Sequence, residues 1–423
     1  MTRAFLVTVY KTPAPKEEAL DHLKELALLV ETFGAEVVGQ FPCQVRKFEA
    51  ATLITEGKIE EILTLADQAE ADLIVMDDEI SPGQQRNLEE IFKRPVMDRT
   101  GVILEVFAQR AKTREARLQI ELAKVKYQAP RLKRLWSHLS RQGGSAGGGG
   151  GGGGGYLKGE GEKQIEIDRR LLKERVEVLE GEIKQVKLAR EQQRQARVRS
   201  EIPTFAIVGY TNAGKSTLMN ALTEAGVFVE DKLFATLDTT TRKYVLPTNQ
   251  EVLITDTVGF IRKLPHLLVA AFKSTLEEAV QTDILLHLID ASHPAAFEQA
   301  KATHEVLKEL NAADKPIITV LNKVDQIQDP GILTRFRTLY PHTVPISALK
   351  REGFETLIHE MVTELAKQRK KITLRIPQSD YQIVSELMRI GHVIETTYED
   401  NDVMIEVDLP RSHATRYTRY LVE

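Results

Sequence analysis

An apolar run from Thr204 to Val208 leads straight into Gly209, Tyr210, Thr211, Asn212, Ala213, Gly214, Lys215 and Ser216, which fits G-x-x-x-x-G-K-[ST]. No other feature constrains the fold as much. Phosphate can be cradled by this spacing only if a strand delivers the loop and a helix leaves it, so that loop and helix amides converge on the anion. Lys215 therefore starts a helix that continues through Leu218 and Leu222, and such strand–loop–helix units build a parallel sheet covered by helices. Residues 209–217, ending at Thr217, are expected to hold the phosphates, with Lys215 neutralising the β and γ oxygens and Ser216 giving its hydroxyl to Mg2+.

Three further elements follow in the order a guanine-nucleotide switch needs. Asp256, Thr257, Val258 and Gly259 come after the strand-like Val252–Thr255, which puts a carboxylate near the metal and a glycine amide where it senses the γ-phosphate. Between the two motifs lie Phe234, Ala235, Thr236, Leu237 and Asp238, followed by three more threonines. One of these threonines has to supply a second hydroxyl to Mg2+; Thr236 is the choice, with Thr239 and Thr240 as rivals. Asn322, Lys323, Val324 and Asp325 follow the apolar Pro316–Leu321, and the Asp325 carboxylate can accept hydrogen bonds from N1–H and the 2-amino group of guanine. Adenine offers neither donor, and an unpaired buried carboxylate is costly, so such a site discriminates. Ser347, Ala348 and Leu349 close over the base.

These residues predict a GTPase that binds GTP and GDP with Mg2+. Lys215, Thr236 and Gly259 are the catalytic candidates, and Ser216, Thr236 and Asp256 the metal ligands. Phe260 stands where many switch GTPases carry a glutamine that orients water, so slow intrinsic hydrolysis is expected. Positioning then comes from a partner, from Thr236, or from K+ coordinated by Asn212, whose alternative is a hydrogen bond within the loop.

Upstream, short β-like runs alternate with helical patterns: Phe5–Tyr10, Glu17–Phe33, Glu36–Phe41, Gly57–Ala69 and Leu73–Asp77. That predicts a small α/β domain, in which Ser81 and Pro82 open another helix and Asp77 with Asp78 forms an acidic turn after a strand rather than a metal site. The single cysteine, Cys43, reads as a small buried hydrophobe.

Beyond Arg110 the period changes. Leu118, Leu122, Val125, Ala129, Leu132, Trp136 and Leu139 make one heptad seam, and Ile165, Leu172, Val176, Leu179, Ile183 and Val186 make a second. Two long helices should pair along these seams, within one chain or between two, and Pro130 should kink or interrupt the first. A glycine run from Gly147 to Gly155 forms the tip and reads as linker. Residues 110–200 hold 22 Lys and Arg against 11 Asp and Glu in a chain of net charge −4, an asymmetry that points to a polyanion. Arg131, Lys133, Arg134, Arg141, Lys158, Lys163, Arg169 and Arg170, with Trp136 and Tyr156, suit phosphate contact and base stacking.

The fold class is thus α/β: a P-loop GTPase domain (201–370) preceded by a small α/β domain (1–108) with a basic helical hairpin (109–200), and followed by a small α+β module (371–423). Asp77-Asp-Glu-Ile-Ser-Pro82, Gln85-Arg-Asn-Leu88, Asp98-Arg-Thr100, Phe107-Ala-Gln-Arg110, the 209–217 loop and Asp256-Thr-Val-Gly-Phe-Ile261 together resemble the HflX family of translation-factor-related GTPases over nearly the whole chain. The resemblance implies a GTPase that docks on the large ribosomal subunit and its rRNA and remodels or dissociates ribosomes. In that family some members also hydrolyse ATP. Glu160 and Thr239 stand where the family usually has proline. A cytoplasmic monomer without transmembrane segment or DNA partner is expected. The rival readings are an ATP-driven RNA-remodelling enzyme and a non-ribosomal scaffold regulated by GTP.

Overall fold

In the computed structural model the apolar N-terminal run is β1 (Arg3–Lys11), buried on both faces, as a strand inside a helix-covered parallel sheet has to be. The structure describes residues 1–11, 16–142, 167, 170–189, 202–223, 233–234, 237, 239–263, 281–390, 392–399, 401–410 and 414–422, with the backbone alone for 132–142, 369, 389–390, 392, 410 and 415. These residues fall into two units. The first contains Met1–Leu188 together with the described residues 233–234, 237 and 261–263; the second contains the rest.

In the first unit β1 is flanked by β2 (Glu36–Val45) and β3 (Leu73–Met76), and β4 (Val96–Asp98) lies outside β3, giving the order β2-β1-β3-β4 with all pairs parallel. The helices are α1 (Lys16–Phe33), α2 (Glu56–Gln68), α3 (Pro82–Phe92) and α4 (Arg99–Arg110). β2 runs beyond the expected Phe41 and through Pro42, and it lies at the sheet edge, where proline is tolerated in strands. Ser81 caps α3 as its sequence suggests: its hydroxyl accepts from Gln84 N at 3.2 Å, and Gln84 Oε1 accepts from Ser81 N at 2.9 Å. Cys43 is fully buried, and burial pushes its thiol up to about 11.

α5 (Arg114–Gln142) continues through Pro130 without the expected interruption. The turn around the proline is pinned from outside. Arg131 lies over the Tyr127 ring at 3.6 Å and donates to Asp98 Oδ2 and Ile80 O, both at 2.9 Å, and to Gln85 Oε1 at 2.9 Å. The Tyr127 hydroxyl donates to Asp98 at 2.6 Å. This corrects the reading of Arg131 as a phosphate contact, because its guanidinium is already committed to a buried carboxylate. α5 is two-faced. Ala116, Ile120 and Ala123 are buried, and Lys124 reaches Glu105 of α4, while Leu122 and Val125 of the seam are half-buried. Facing it is α6 (residues 170–189), where Leu179 is fully buried and Leu172, Val176, Ile183 and Val186 are half-buried. Arg175 pairs with Glu121, and Lys126 with Glu180 at 2.7 Å, so the two seams meet within the chain. Arg170 pairs with Glu174 one turn along its own helix. Lys158, Lys163, Arg169, Tyr156 and the glycine run lie outside the described residues, as do the side chains of Lys133, Arg134, Trp136 and Arg141.

The second unit is built on β5 (Thr204–Gly209), α7 (Lys215–Thr223), β6 (Thr240–Val245), β7 (Glu251–Asp256), β8 (Ile284–Asp290), α8 (Ala296–Glu309), β9 (Ile317–Asn322), α9 (Gly331–Leu339), β10 (Thr343–Pro345) and α10 (Phe354–Lys367). Its sheet has the order β10-β9-β8-β5-β7-β6, parallel except for β6. Phe205, Ile207, Leu218, Ile254, Leu286 and Val320 pack together as its core. β11 (Arg369–Pro377), α11 (Tyr381–Ile390), β12 (His392–Glu399) and β13 (Asp402–Pro410) form the C-terminal α+β module, an antiparallel sheet of order β11-β13-β12 with a core of its own around Leu374, Leu387 and Ile405. Among the described residues no helix is long and apolar enough to cross a membrane.

Candidate nucleotide site

β5 ends at Gly209 and the helix begins at Lys215, so the loop sits at the carboxyl end of a central strand, where open α/β sheets accept ligands. Gly214 has φ +94°, and a Cβ there would lie 2.4 Å from Asn322 Nδ2. Only glycine satisfies both conditions. Asn212, also left-handed at φ 61°, is exposed. Lys215 is buried, and its ammonium donates to Tyr210 O at 2.8 Å. Burial lowers its pKa to about 8 against the opposing pull of Asp256. Ser216 Oγ donates to Asp256 Oδ2 at 2.7 Å, and Asp256 is wholly buried at the end of β7.

The segment after Asp256 folds back over the loop. Thr257 Oγ1 donates to Ile207 O at 2.7 Å. Phe260 N donates to Gly209 O at 3.0 Å and Thr211 N to Phe260 O at 2.7 Å, so the backbone of 260 is tied to the phosphate loop from both sides. A Cβ on Gly259 would meet Lys215 Nζ at 2.8 Å and Thr211 Cα at 2.9 Å, which leaves glycine as the residue this approach admits. The Phe260 ring is buried.

Asn322 ties the loop to a second turn. Its Nδ2 donates to Ala213 O at 2.8 Å and its Oδ1 accepts from Ala348 N at 2.9 Å, so one side chain joins the phosphate loop to the Ser347–Ala348 turn. Lys323 adopts φ 60° and its ammonium sits 2.7 Å from Asp290 Oδ2. Val324 and Asp325 begin a 3-10 turn. A hydrogen bond from Ser347 holds the Asp325 carboxylate below its ordinary pKa, and Lys350 stands 3.5 Å away. Leu349 is exposed.

The structure thus brings residues 209–217, Asp256 to Gly259, Asn322 to Asp325 and Ser347–Ala348 together in one unit. Phe234 and Leu237 group with the first unit, where Phe234 stacks edge-on against Phe107 at 4.5 Å. Ala235, Thr236 and Asp238 lie outside the described residues. Of the rivals to Thr236, Thr240 lies in β6 directly opposite Asp256. The sequence reading missed Asp290. Its Oδ2 holds Lys323, while Oδ1 accepts from Ser292 N at 3.0 Å and Ser292 Oγ at 2.6 Å. The one available signal was an aspartate closing an apolar strand just before Ala-Ser, which is common in turns.

Three family profiles match consecutive stretches: GTP-binding GTPase N-terminal over residues 20–108, GTP-binding GTPase Middle Region over 110–197, and 50S ribosome-binding GTPase over 204–323. The chain is similar to the GTPase HflX of Chlamydia pneumoniae, 45% identical over 99% of this chain and 88% of the relative. It is also similar to that of Escherichia coli K12, 39% identical over 96% of this chain and 93% of the relative. A GTP-binding protein from the archaeon Sulfolobus solfataricus, solved with GDP, is 26% identical over 87% of this chain and 99% of its own, with a TM-score of 0.46. Identity on this scale, spanning the hairpin as well as the nucleotide loop, means that the chain is a GTPase and belongs to the HflX family.

Proposed function

We propose that this GTPase binds the large ribosomal subunit in its GTP state, presents the hairpin to ribosomal RNA, remodels or dissociates the ribosome, and lets go on hydrolysis. The observation that carries the reading is the conjunction of a joined nucleotide site with a hairpin segment in which Lys and Arg outnumber Asp and Glu 22 to 11. A polycation on a GTP-controlled body suits a polyanionic partner whose grip has to be switched. The match of 204–323 to the 50S ribosome-binding GTPase profile supports that partner. The protein then works in the cytoplasm, as a monomer.

Residues 209–217 hold the phosphates through backbone amides, and Lys215 trades its bond to Tyr210 O for phosphate oxygens. Ser216 and Asp256, a hydroxyl and a carboxylate already in contact, are the hard oxygen donors Mg2+ prefers, and Thr236 is the third. Bound there, Mg2+ supplies positive charge to the β and γ oxygens. Asp325 selects guanine, Lys323 and Asn322 support the base, and Ser347–Leu349 close over it. Gly259 senses the γ-phosphate. Because the Phe260 ring is buried, the attacking water is positioned from elsewhere, by Thr236, by the ribosome, or by K+ at the exposed Asn212. The K+ role fails if sodium and potassium support equal turnover at matched ionic strength.

The deciding experiment measures GTP turnover with and without purified large subunits, alongside co-sedimentation in GDP and in a non-hydrolysable GTP analogue. Strong stimulation with analogue-dependent pelleting is the expected result. Pelleting in neither state would overturn the ribosomal reading in favour of a protein scaffold.

A further inference from the structure

Within the second unit, the turn before β10 and the last turns of α10 bring together three metal-ligating side chains that the nucleotide site does not use. His342 has a left-handed backbone at φ 54°, and its carbonyl accepts from Thr319 N at 3.0 Å, so β9 fixes the backbone that carries the ring. Glu360 and Glu364 lie four residues apart on α10 and therefore share one face of the helix. His342 Nδ1 is 2.7 Å from Glu360 Oε1 and 3.5 Å from Glu364 Oε1. One ligand atom from each of the three side chains lies within 4.8 Å of the other two.

One imidazole nitrogen with two carboxylates is a donor set for a borderline ion such as Zn2+, whereas Mg2+ takes oxygen ligands. Ligand atoms about 2.0–2.2 Å from a tetrahedral Zn2+ stand about 3.3–3.6 Å apart, and the separations here bracket that range. His342 is exposed and Glu360 partly so, which leaves both side chains room to adjust. Glu364 supplies the need for a cation. Its carboxylate is 6% exposed and stands in the last turn of α10, where the helix dipole opposes negative charge. Lys367 donates to the same Oε1 of Glu364, but its side chain is half exposed, so its ammonium can be exchanged for an ion at small cost. An ion-pair network and a metal site respond oppositely to Lys367: without it the network loses an attraction, and the metal site loses a competitor.

We propose that His342, Glu360 and Glu364 bind one divalent transition-metal ion of the Zn2+ class, with water completing the coordination. The ion clips the turn before β10 to α10, the two elements that hold residues 346–353 between them and with these the Ser347–Ala348 turn. It is separate from the Mg2+ of the proposed nucleotide site, whose ligands come from other residues.

In the test, Zn2+ from a chelator-buffered solution is titrated into the full-length protein, with GDP and excess Mg2+ present throughout to keep the nucleotide site filled. One Zn2+ per chain and a rise in Tm are expected, since an ion that binds only the folded chain stabilises it. His342→Gln should weaken uptake by more than about 100-fold, because losing even an outer hydrogen-bond partner of a ligand costs about 10–100-fold. Glu360→Gln should weaken it as well. Lys367→Met should strengthen it about two- to fivefold, the size of an exposed ion pair. Glu360 and Lys367 are partly exposed, so their variants should fold even if His342→Gln does not, and their opposite signs then decide. Absent uptake, uptake that His342→Gln or Glu360→Gln leaves unchanged, or an affinity that Lys367→Met fails to raise overturns the proposal.

Discussion

Asp325 and Asp290 show how differently two carboxylates of one site announce themselves. Asp325 closes the four-residue pattern that starts at Asn322, and the chemistry proposed for it is explicit, since a carboxylate can accept from both of guanine's donors. Asp325→Asn should weaken GTP binding by roughly 10²–10³-fold, because it replaces an acceptor of two charge-assisted hydrogen bonds by a group that can accept only one. It should also gain affinity for xanthosine triphosphate, whose 2-oxo group accepts from the new amide. Calorimetry with both nucleotides checks this, and undiminished GTP affinity would remove Asp325 from the base site. Asp290 belongs to no such pattern. Its role is visible only once β8 and β9 lie side by side and Lys323, in a left-handed backbone, leans back to meet it. Asp290→Ala should weaken GTP and GDP alike, by about tenfold, and leave kcat unchanged, since it frees the lysine without touching the reacting phosphate. A KM-against-kcat comparison decides that.

At the scale of elements, the repeat of apolar residues carries most of the fold and the exceptions are instructive. The C-terminal strands and helix form the α+β module that was expected, because each buries one face against its own small core. β4 escaped notice because three residues are too few to show a period. The heptad seam of α5 was legible, but its second buried face was not. Tyr127, Arg131 and Asp98 are polar residues doing the work of packing, and hydrophobic patterning cannot register them. β8 carries a comparable surprise in His287, fully buried among apolar neighbours with neither ring nitrogen hydrogen-bonded among the described residues, and 4.9 Å from the His304 ring. Burial, with His304 adding to it, lowers the His287 pKa to about 3. An unfolded histidine takes a proton near pH 6.5, so between about 6.5 and 3 the unfolded state binds more protons and stability falls as pH falls. The contribution is complete above the unfolded value and is lost progressively below it. His287→Leu should therefore flatten the decline of Tm between pH 7 and 5 and raise Tm at the acid end. Parallel Tm–pH curves for the two proteins would contradict this.

For the whole molecule, the uneven charge makes the first experimental variable salt. If the excess of Lys and Arg in residues 110–200 meets ribosomal RNA, association with large subunits should weaken steeply as salt rises, with log K falling linearly in log salt. Titrating co-sedimentation from about 50 to 200 mM salt measures the slope, and a flat line would point to a protein partner instead. The arrangement of the chain also bears on its history. Phe234, Leu237 and Lys263 lie in sequence inside the nucleotide-binding region, yet they group with the first unit, where Phe234 meets Phe107 and Lys263 meets Asp77. A single cut near residue 201 would strip those side chains of the surfaces they are fitted to. Modules joined by one linker can be shuffled between genes, whereas halves stitched by returning threads have to be inherited together, each constraining which substitutions the other can accept.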